Sequence, residues 1–332
     1  MLMFRCPLGL LFALALLIAA CDGNGGSPAG PTATPTIAPA SAESICGATH
    51  RVAGRVASPE LIEISGIAAS RRNEGVLWAH NDSGDTPRVF AIGERGEHLA
   101  VYALGGAEAL DWEAMAIGPG PEDGADYLYL GDIGDNDRVR TGIVVYRVAE
   151  PTVDRGGVPT AQELSGVERL ALRYPDGPHD AETLMADPST GDLLILTKDA
   201  ANATLFRAAA SSLQPGGTIT LEEAARIDFT QLTVRREIPP DASVLARGAP
   251  ALPTAGDISP DGTAIAIRTY ATVWVWERAP GASVADALRG RPCEAPSALE
   301  AQGEAIAFTA GGRGYVTVSE GAGPAVHRFE TR

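Results

Sequence analysis

Carboxylates recur through this 332-residue chain just ahead of short apolar runs, as Asp111 with Glu113, His179 with Asp180 and Glu182, and Gln302 with Glu304. A second group follows other apolar runs, including His80-Asn81-Asp82-Ser83-Gly84-Asp85 and Gly131-Asp132-Ile133-Gly134-Asp135-Asn136. These two stretches share the spacing Asp-x-Gly-Asp, at Asp82 to Asp85 and Asp132 to Asp135. Hard oxygen ligands in this number suit a divalent cation such as calcium, whereas zinc would ask for more histidine or thiolate. The candidate ligands are Asp82, Asp85, Asp111, Glu113, Asp132, Asp135, Asp180, Glu182 and Glu304. Turn formation competes for any one of them, because Asp, Asn and Gly tolerate left-handed backbone and bond locally. Repetition of the whole pattern argues for a common role.

Cations are placed as tellingly. Among 26 Lys+Arg there is a single lysine, Lys198, in Thr197-Lys198-Asp199, and Arg268 in Arg268-Thr269-Tyr270 holds the corresponding place one repeat later. Two cations opposite several carboxylates make a site divided by charge, suited to a phosphate or carboxylate group. In a catalytic version Lys198 and Arg268 neutralise developing charge, and His80 or His179 moves a proton. The alternative is structural pairing of Lys198 with Glu182 and Arg268 with Asp257. The formal net charge of −16 excludes nucleic acid as a partner, since binding it requires a basic footprint. The chain has no Gly-x-Ser-x-Gly, no phosphate-loop Gly-x-x-x-x-Gly-Lys-Ser/Thr and no His-Glu-x-x-His. Gly118-Pro119-Gly120 reads as a turn between strands.

These groups need a scaffold that brings distant segments together. Five segments are self-similar: Ser65-Gly66-Ile67-Ala68, Glu113-Ala114-Met115-Ala116, Glu182-Thr183-Leu184-Met185, Gly256-Asp257-Ile258-Ser259 and Glu304-Ala305-Ile306-Ala307. Each opens a series of short Val-, Ile-, Leu- and Tyr-rich runs separated by Gly, Pro, Asp and Asn, the pattern of strands and turns. Four strands per unit is a propeller blade, and radial repetition protects the sheet edges. The fold expected is an all-β propeller of five four-stranded blades. Six blades, with one hidden in an insertion near 149–167 or 230–255, is the alternative. In either ring the start of each innermost strand and the end of the second strand meet beside the central channel, which would gather the polar motifs at its mouth. Segment 230–255 reaches the same face and is a candidate rim or lid.

The fifth unit offers only three strands before the chain ends, and His50 to Val56 is free to supply the fourth, closing the ring. Four cysteines are present. Cys6 and Cys21 lie in the N-terminal leader, so Cys46 and Cys293 are expected to form a disulfide at that closure in an oxidising compartment.

The leader carries Arg5 and then an apolar run from Leu8 to Ala20, the length of a signal-peptide core and too short to span a bilayer. Its end, Ile18-Ala19-Ala20-Cys21, resembles the bacterial lipobox, which implies that Cys21 carries diacylglycerol. Residues 1–20 are therefore expected to be a lipoprotein signal peptide, 21–44 a flexible Gly/Pro/Ser/Thr/Ala tether and 45–332 the propeller. The expected location is the extracytoplasmic cell envelope, held to a bacterial membrane through the Cys21 lipid.

Leu77–Gly84, Asp111–Ala116, Leu128–Asn136, Gly256–Gly262 and Gln302–Phe308 resemble segments of a group of uncharacterised bacterial β-propeller lipoproteins. More distantly, an acidic residue just before a short inner strand is similar to the phytase-like propellers. That resemblance implies channel carboxylates holding calcium and basic residues holding phosphate, and it transfers to Glu113, Glu182 and Glu304. Ser65 and Gly256 stand at the glutamate position in the other two units, and the full phytase signature is missing. The functional expectation is an envelope-anchored module that binds a divalent cation and a small anionic ligand or glycan. A metal-dependent hydrolase of a phosphate ester or other small anionic ester is the alternative.

Overall fold

The computed structural model describes residues 40–155, 161–232 and 248–331. The leader with Cys21, and most of the candidate lid at 230–255, lie outside the described residues.

Among the described residues, twenty-two strands build five sheets around a closed ring. Blade 1 contains β2 (Ile64–Ala69), β3 (Val76–Asn81), β4 (Arg88–Gly93) and β5 (His98–Leu104). Blade 2 contains β6 (Trp112–Pro119), β7 (Asp126–Asp132), β8 (Ile143–Ala149) and β10 (Glu168–Arg173). Blade 3 contains β11 (Ala181–Ala186), β12 (Leu193–Thr197), β13 (Ala203–Ala208) and β15 (Glu222–Ile227). Blade 4 contains β16 (Pro253–Ile258), β17 (Ala264–Thr269), β18 (Val273–Glu277) and β19 (Cys293–Ala295). Blade 5 contains β20 (Gly303–Phe308), β21 (Gly314–Ser319) and β22 (Ala325–Glu330), with β1 (Thr49–Arg55) as its outer strand. The protein is a five-bladed β-propeller closed by its N-terminal strand. Thr49 lies opposite Glu330 and Arg55 opposite Ala325 in that closing pair.

Among the described residues there is no sixth blade. Ala161–Leu164, β9, runs parallel to β5 on the rim of blade 1, and Thr218–Thr220, β14, runs parallel to β10 on blade 2. Each covers the outer edge of the preceding blade, which removes an exposed strand edge.

Sequence explains the layering. Inner strands β2, β11 and β20 are buried along their whole length and rich in Gly, Ala and Ser, which fit around a narrow axis. The outer strand β10 mixes buried with half-buried and exposed positions. The apolar core is divided into five clusters, each shared by two neighbouring blades. In every blade the turn from the first to the second strand places a glycine at positive φ: Gly75, Gly124, Gly191, Gly262 and Gly312. Only glycine adopts this left-handed conformation without steric cost.

Cys46 and Cys293 form a disulfide that spans 247 residues of sequence. Cys46 ends the helix α1 (Ala42–Cys46), capped by the Ser41 hydroxyl, and Cys293 begins β19. The bond therefore ties the segment leading into the closing strand to the rim of blade 4. Ala42 and Ile45 are buried against the same neighbours as Phe329 and Val275.

Candidate functional site

All five inner strands carry a β-bulge at their first residues, at Ser65, Glu113, Glu182, Thr254 and Glu304. A bulge inserts one residue that has no cross-strand partner and re-aims its side chain. A matching backbone hydrogen bond recurs beside each: Asp82 N to Glu63 O, Ile133 N to Asp111 O, Lys198 N to Asp180 O, Tyr270 N to Leu252 O and Glu320 N to Gln302 O. Three tiers of equivalent residues follow around the mouth. The first is Glu63, Asp111, Asp180, Leu252 and Gln302. The bulge tier is Ser65, Glu113, Glu182, Thr254 and Glu304, and the third is Asp82, Ile133, Lys198, Tyr270 and Glu320.

This register corrects the sequence alignment in blade 4. The position equivalent to Glu113 is Thr254, two residues before Gly256. Gly256 is a packing residue, since a Cβ there would lie 2.9 Å from Thr183 Cγ2 and 3.1 Å from the Ala266 carbonyl. Asp257 sits further along the strand and accepts from the backbone of Phe308 and Ile258. It does not pair with Arg268; burial pushes it to about 6, with Arg71 opposing.

The mouth collects part of the expected ligand set. Asp82, Asp111 and Glu113 each offer a carboxylate oxygen within 4.8 Å of the others. That is the span of two oxygens on opposite sides of a calcium ion at about 2.4 Å. Gly134 passes directly beneath: a Cβ there would lie 2.4 Å from Asp111 Oδ2 and 2.7 Å from Glu113 Oε1. Ser65 braces Glu113, its hydroxyl donating 2.8 Å to the carbonyl and 3.2 Å to the carboxylate.

Glu182 and Glu304 stand in the same bulge tier. Lys198 Nζ donates to Glu182 Oε1 in a buried ion pair and lies 5.7 Å from the centre of the Tyr270 ring. Glu182 Oε2 is buried and accepts no hydrogen bond from the described residues. Glu304 Oε1 accepts from the Tyr270 hydroxyl at 2.9 Å and from Gln302 Nε2 at 3.3 Å.

Crowded carboxylates resist ionisation. Burial, followed by the charges of Asp82 and Asp111, holds Glu113 well above the usual carboxylate range. Burial raises Asp82 to about 6, with Glu304 and Asp111 adding to it and Lys198 opposing. Asp111 is raised by burial and relieved by Arg140. Burial, and then the neighbouring Glu304 carboxyl, push Glu320 up to about 10. A hard cation held by Asp82, Asp111 and Glu113 would relieve the repulsion among these three.

The other expected ligands brace loops. Asp85 accepts from Arg88 and from Asn81 Nδ2, and these contacts hold it below its ordinary range against the cost of burial. Asp132 pairs with Arg140 at 2.7 Å and accepts the backbone of Leu110 and Asp111. Asp135 accepts from the backbone of Val139 and Arg140, and Asp180 from that of Asp135. The shared Asp-x-Gly-Asp spacing thus covers two different jobs. Gly84 occupies a left-handed turn with open space around it, while Gly134 makes room for two carboxylates.

Three expected catalytic side chains also go elsewhere. Arg268 lies between blades 4 and 5, buried against Glu300 and the Ala305 carbonyl. His80 is fully buried, bonded through Nδ1 to the Asn81 carbonyl and edge-on to Trp112. Burial lowers it to about 4, so it stays neutral. His179 Nε2 is 2.9 Å from Asp176, and its ring packs on Tyr174 and Phe206. Lys198 alone of the four joins the mouth. Tyr270 and Glu320 complete the cluster. Their place at the ends of second strands was visible in the sequence, but their roles emerge only from the common bulge.

Gly66, Ala114, Ala255, Gly256 and Ala305, from the inner strands, are among the residues lining a small cavity of about 10 Å³.

Fold and site together define a five-bladed propeller with an acidic, single-lysine channel mouth. No protein-family model and no curated protein matches the chain. Similar solved structures include a hydrazine synthase of Kuenenia stuttgartiensis, 12% identical over 82% of this chain and 97% of that one, with a TM-score of 0.43. A luciferin-regenerating enzyme is 9% identical over 86% and 95%, with a TM-score of 0.44. A gluconolactonase of Xanthomonas campestris is 13% identical over 92% and 99%, with a TM-score of 0.44. At these identities and scores they bear on neither the site nor the activity of this chain.

Proposed function

We propose that the protein is an envelope-anchored binding module whose channel mouth holds a hard divalent cation on Asp82, Asp111 and Glu113. The cation and Lys198 together would take a small anionic ligand. The observation that carries this reading is the grouping of three carboxylates, Asp82, Asp111 and Glu113, each with an oxygen within 4.8 Å of the others. An all-oxygen set of this kind favours calcium, magnesium or manganese over zinc. Calcium titration should give a dissociation constant of roughly 10 µM to 1 mM, the regime of sensor and extracellular sites. No binding of any of the three ions would sink the reading. Anchoring through Cys21 is tested separately: Cys21→Ala should move the protein from the membrane to the soluble fraction.

A second reading, hydrolysis of a small anionic ester, is favoured by Lys198 and Tyr270 standing beside the carboxylates. A bound cation supplies polarisation of the ester and a lowered pKa of its water. Lys198 would neutralise charge developing on the ester oxygen, and the Tyr270–Glu304 hydrogen bond would orient a proton donor. A screen of phosphate and carboxylate esters with and without chelator separates this reading from binding alone: turnover abolished by chelator supports it, and absence of turnover with bound cation leaves the binding module.

A further inference from the structure

The closing strand and its partner carry a second group of ligand-type side chains, separate from those of the mouth. The chain has five histidines, and two of them meet where its ends pair. His50 on β1 lies opposite Phe329, and His327 on β22 lies opposite Val52, so the two imidazoles are diagonal neighbours on one face. His50 Nε2 is 2.9 Å from His327 Nδ1. The His50 ring stacks on Phe329 at 4.8 Å, and Phe329 stacks on Tyr315 at 4.6 Å, which fixes the plane of the first imidazole.

We propose that His50 and His327 form a two-imidazole site for a borderline transition metal ion, Zn2+ or Ni2+, that clamps the N-terminal strand to the last blade. Two nitrogens each about 2.05 Å from a tetrahedral zinc are roughly 3.3 Å apart, so the pair needs to open by only a few tenths of an ångström. Both rings must be neutral to bind metal. Glu300 is committed to Arg268 and Thr317 and leaves the remaining coordination positions to water. His50 is exposed, so the site opens to solvent. Nitrogen ligands separate it chemically from the all-oxygen mouth, which selects for calcium and magnesium.

In the ordinary hydrogen-bonded pair one imidazole donates to the other and no metal is involved. Thermal unfolding of the metal-free protein with added Zn2+ or Ni2+ distinguishes the two, alongside competition for Zn2+ against a chromogenic chelator. At a hundredfold excess over its dissociation constant the ion should raise the midpoint by about 5 °C. His50→Gln and His327→Gln should each weaken binding at least tenfold and abolish the rise, while Glu113→Gln should keep it. The exposed His50 variant guards against loss of folding, and the chelator competition reads binding directly. Absence of competition, or a rise that persists in both histidine variants, overturns the proposal.

Discussion

The Ser65 hydroxyl donates to both the carbonyl and the carboxylate of Glu113, joining the bulged residues of blades 1 and 2 across the channel mouth. Blade 4 repeats half of this arrangement, where Thr254 Oγ1 donates 2.8 Å to the Gly303 carbonyl of blade 5. The five bulge positions therefore hold two chemistries. Glutamates stand in blades 2, 3 and 5, and hydroxyls in blades 1 and 4 hold the next blade in place.

Lys198→Met should destabilise the protein by about 3–5 kcal/mol, because it strands the buried Glu182 charge. Adding Glu182→Gln should recover much of that loss. Urea unfolding of the two variants measures both effects.

Arg268→Met should cost a similar amount, because Glu300 is left buried and unpaired. It should leave cation affinity within twofold of the parent, since Arg268 belongs to the seam between blades 4 and 5. Calorimetry beside unfolding checks the separation, and a large loss of affinity would return Arg268 to the site.

Without cation, stability should fall as pH rises from 7 to 9. Glu320 is raised to about 10 in the folded protein, so the folded state holds a proton that the unfolded chain gives up near 4.5. Glu113 adds in the same direction. Asp82 contributes between about 4 and 6, where His80 opposes it because that ring is held neutral down to about 4. Saturating calcium should flatten the alkaline slope. Melting temperatures across this range, with chelator or calcium, measure it.

Much of the scaffold was legible before any coordinates. The five self-similar segments at Ser65, Glu113, Glu182, Gly256 and Glu304 set the blade count, and the three-strand fifth unit called for His50 to Val56. The two cysteines outside the leader gave the staple. Blade 4 misled because Gly256-Asp257-Ile258 mimics the small-apolar rhythm of Ser65-Gly66-Ile67, while the true bulge hides behind Pro253. The acids misled for a different reason. Carboxylates that ligate a metal and carboxylates that brace a turn look alike in sequence, and the arginines that claim Asp85 and Asp132 lie only a few residues downstream. Arg268 and His80 sit one residue before the ends of their strands, and the alternation of a strand turns such positions from the channel to the neighbouring blade.

Reduction of the Cys46–Cys293 bond should lower stability by about 2–4 kcal/mol, because it closes a long loop between the ends of the ring. The blades themselves should survive. Thermal unfolding with and without reductant, beside Cys46→Ala, gives the value; no change in either would mean that the β1–β22 pairing holds the closure alone.

The most direct test of the cation site is calorimetric titration of calcium into the chelator-stripped protein, with Asp82→Asn and Glu113→Gln in parallel. Binding of one ion that weakens at least tenfold in each variant, while both variants remain folded, is the predicted result. Undiminished binding in both variants, or no heat of binding to the parent protein for calcium, magnesium or manganese, would contradict it.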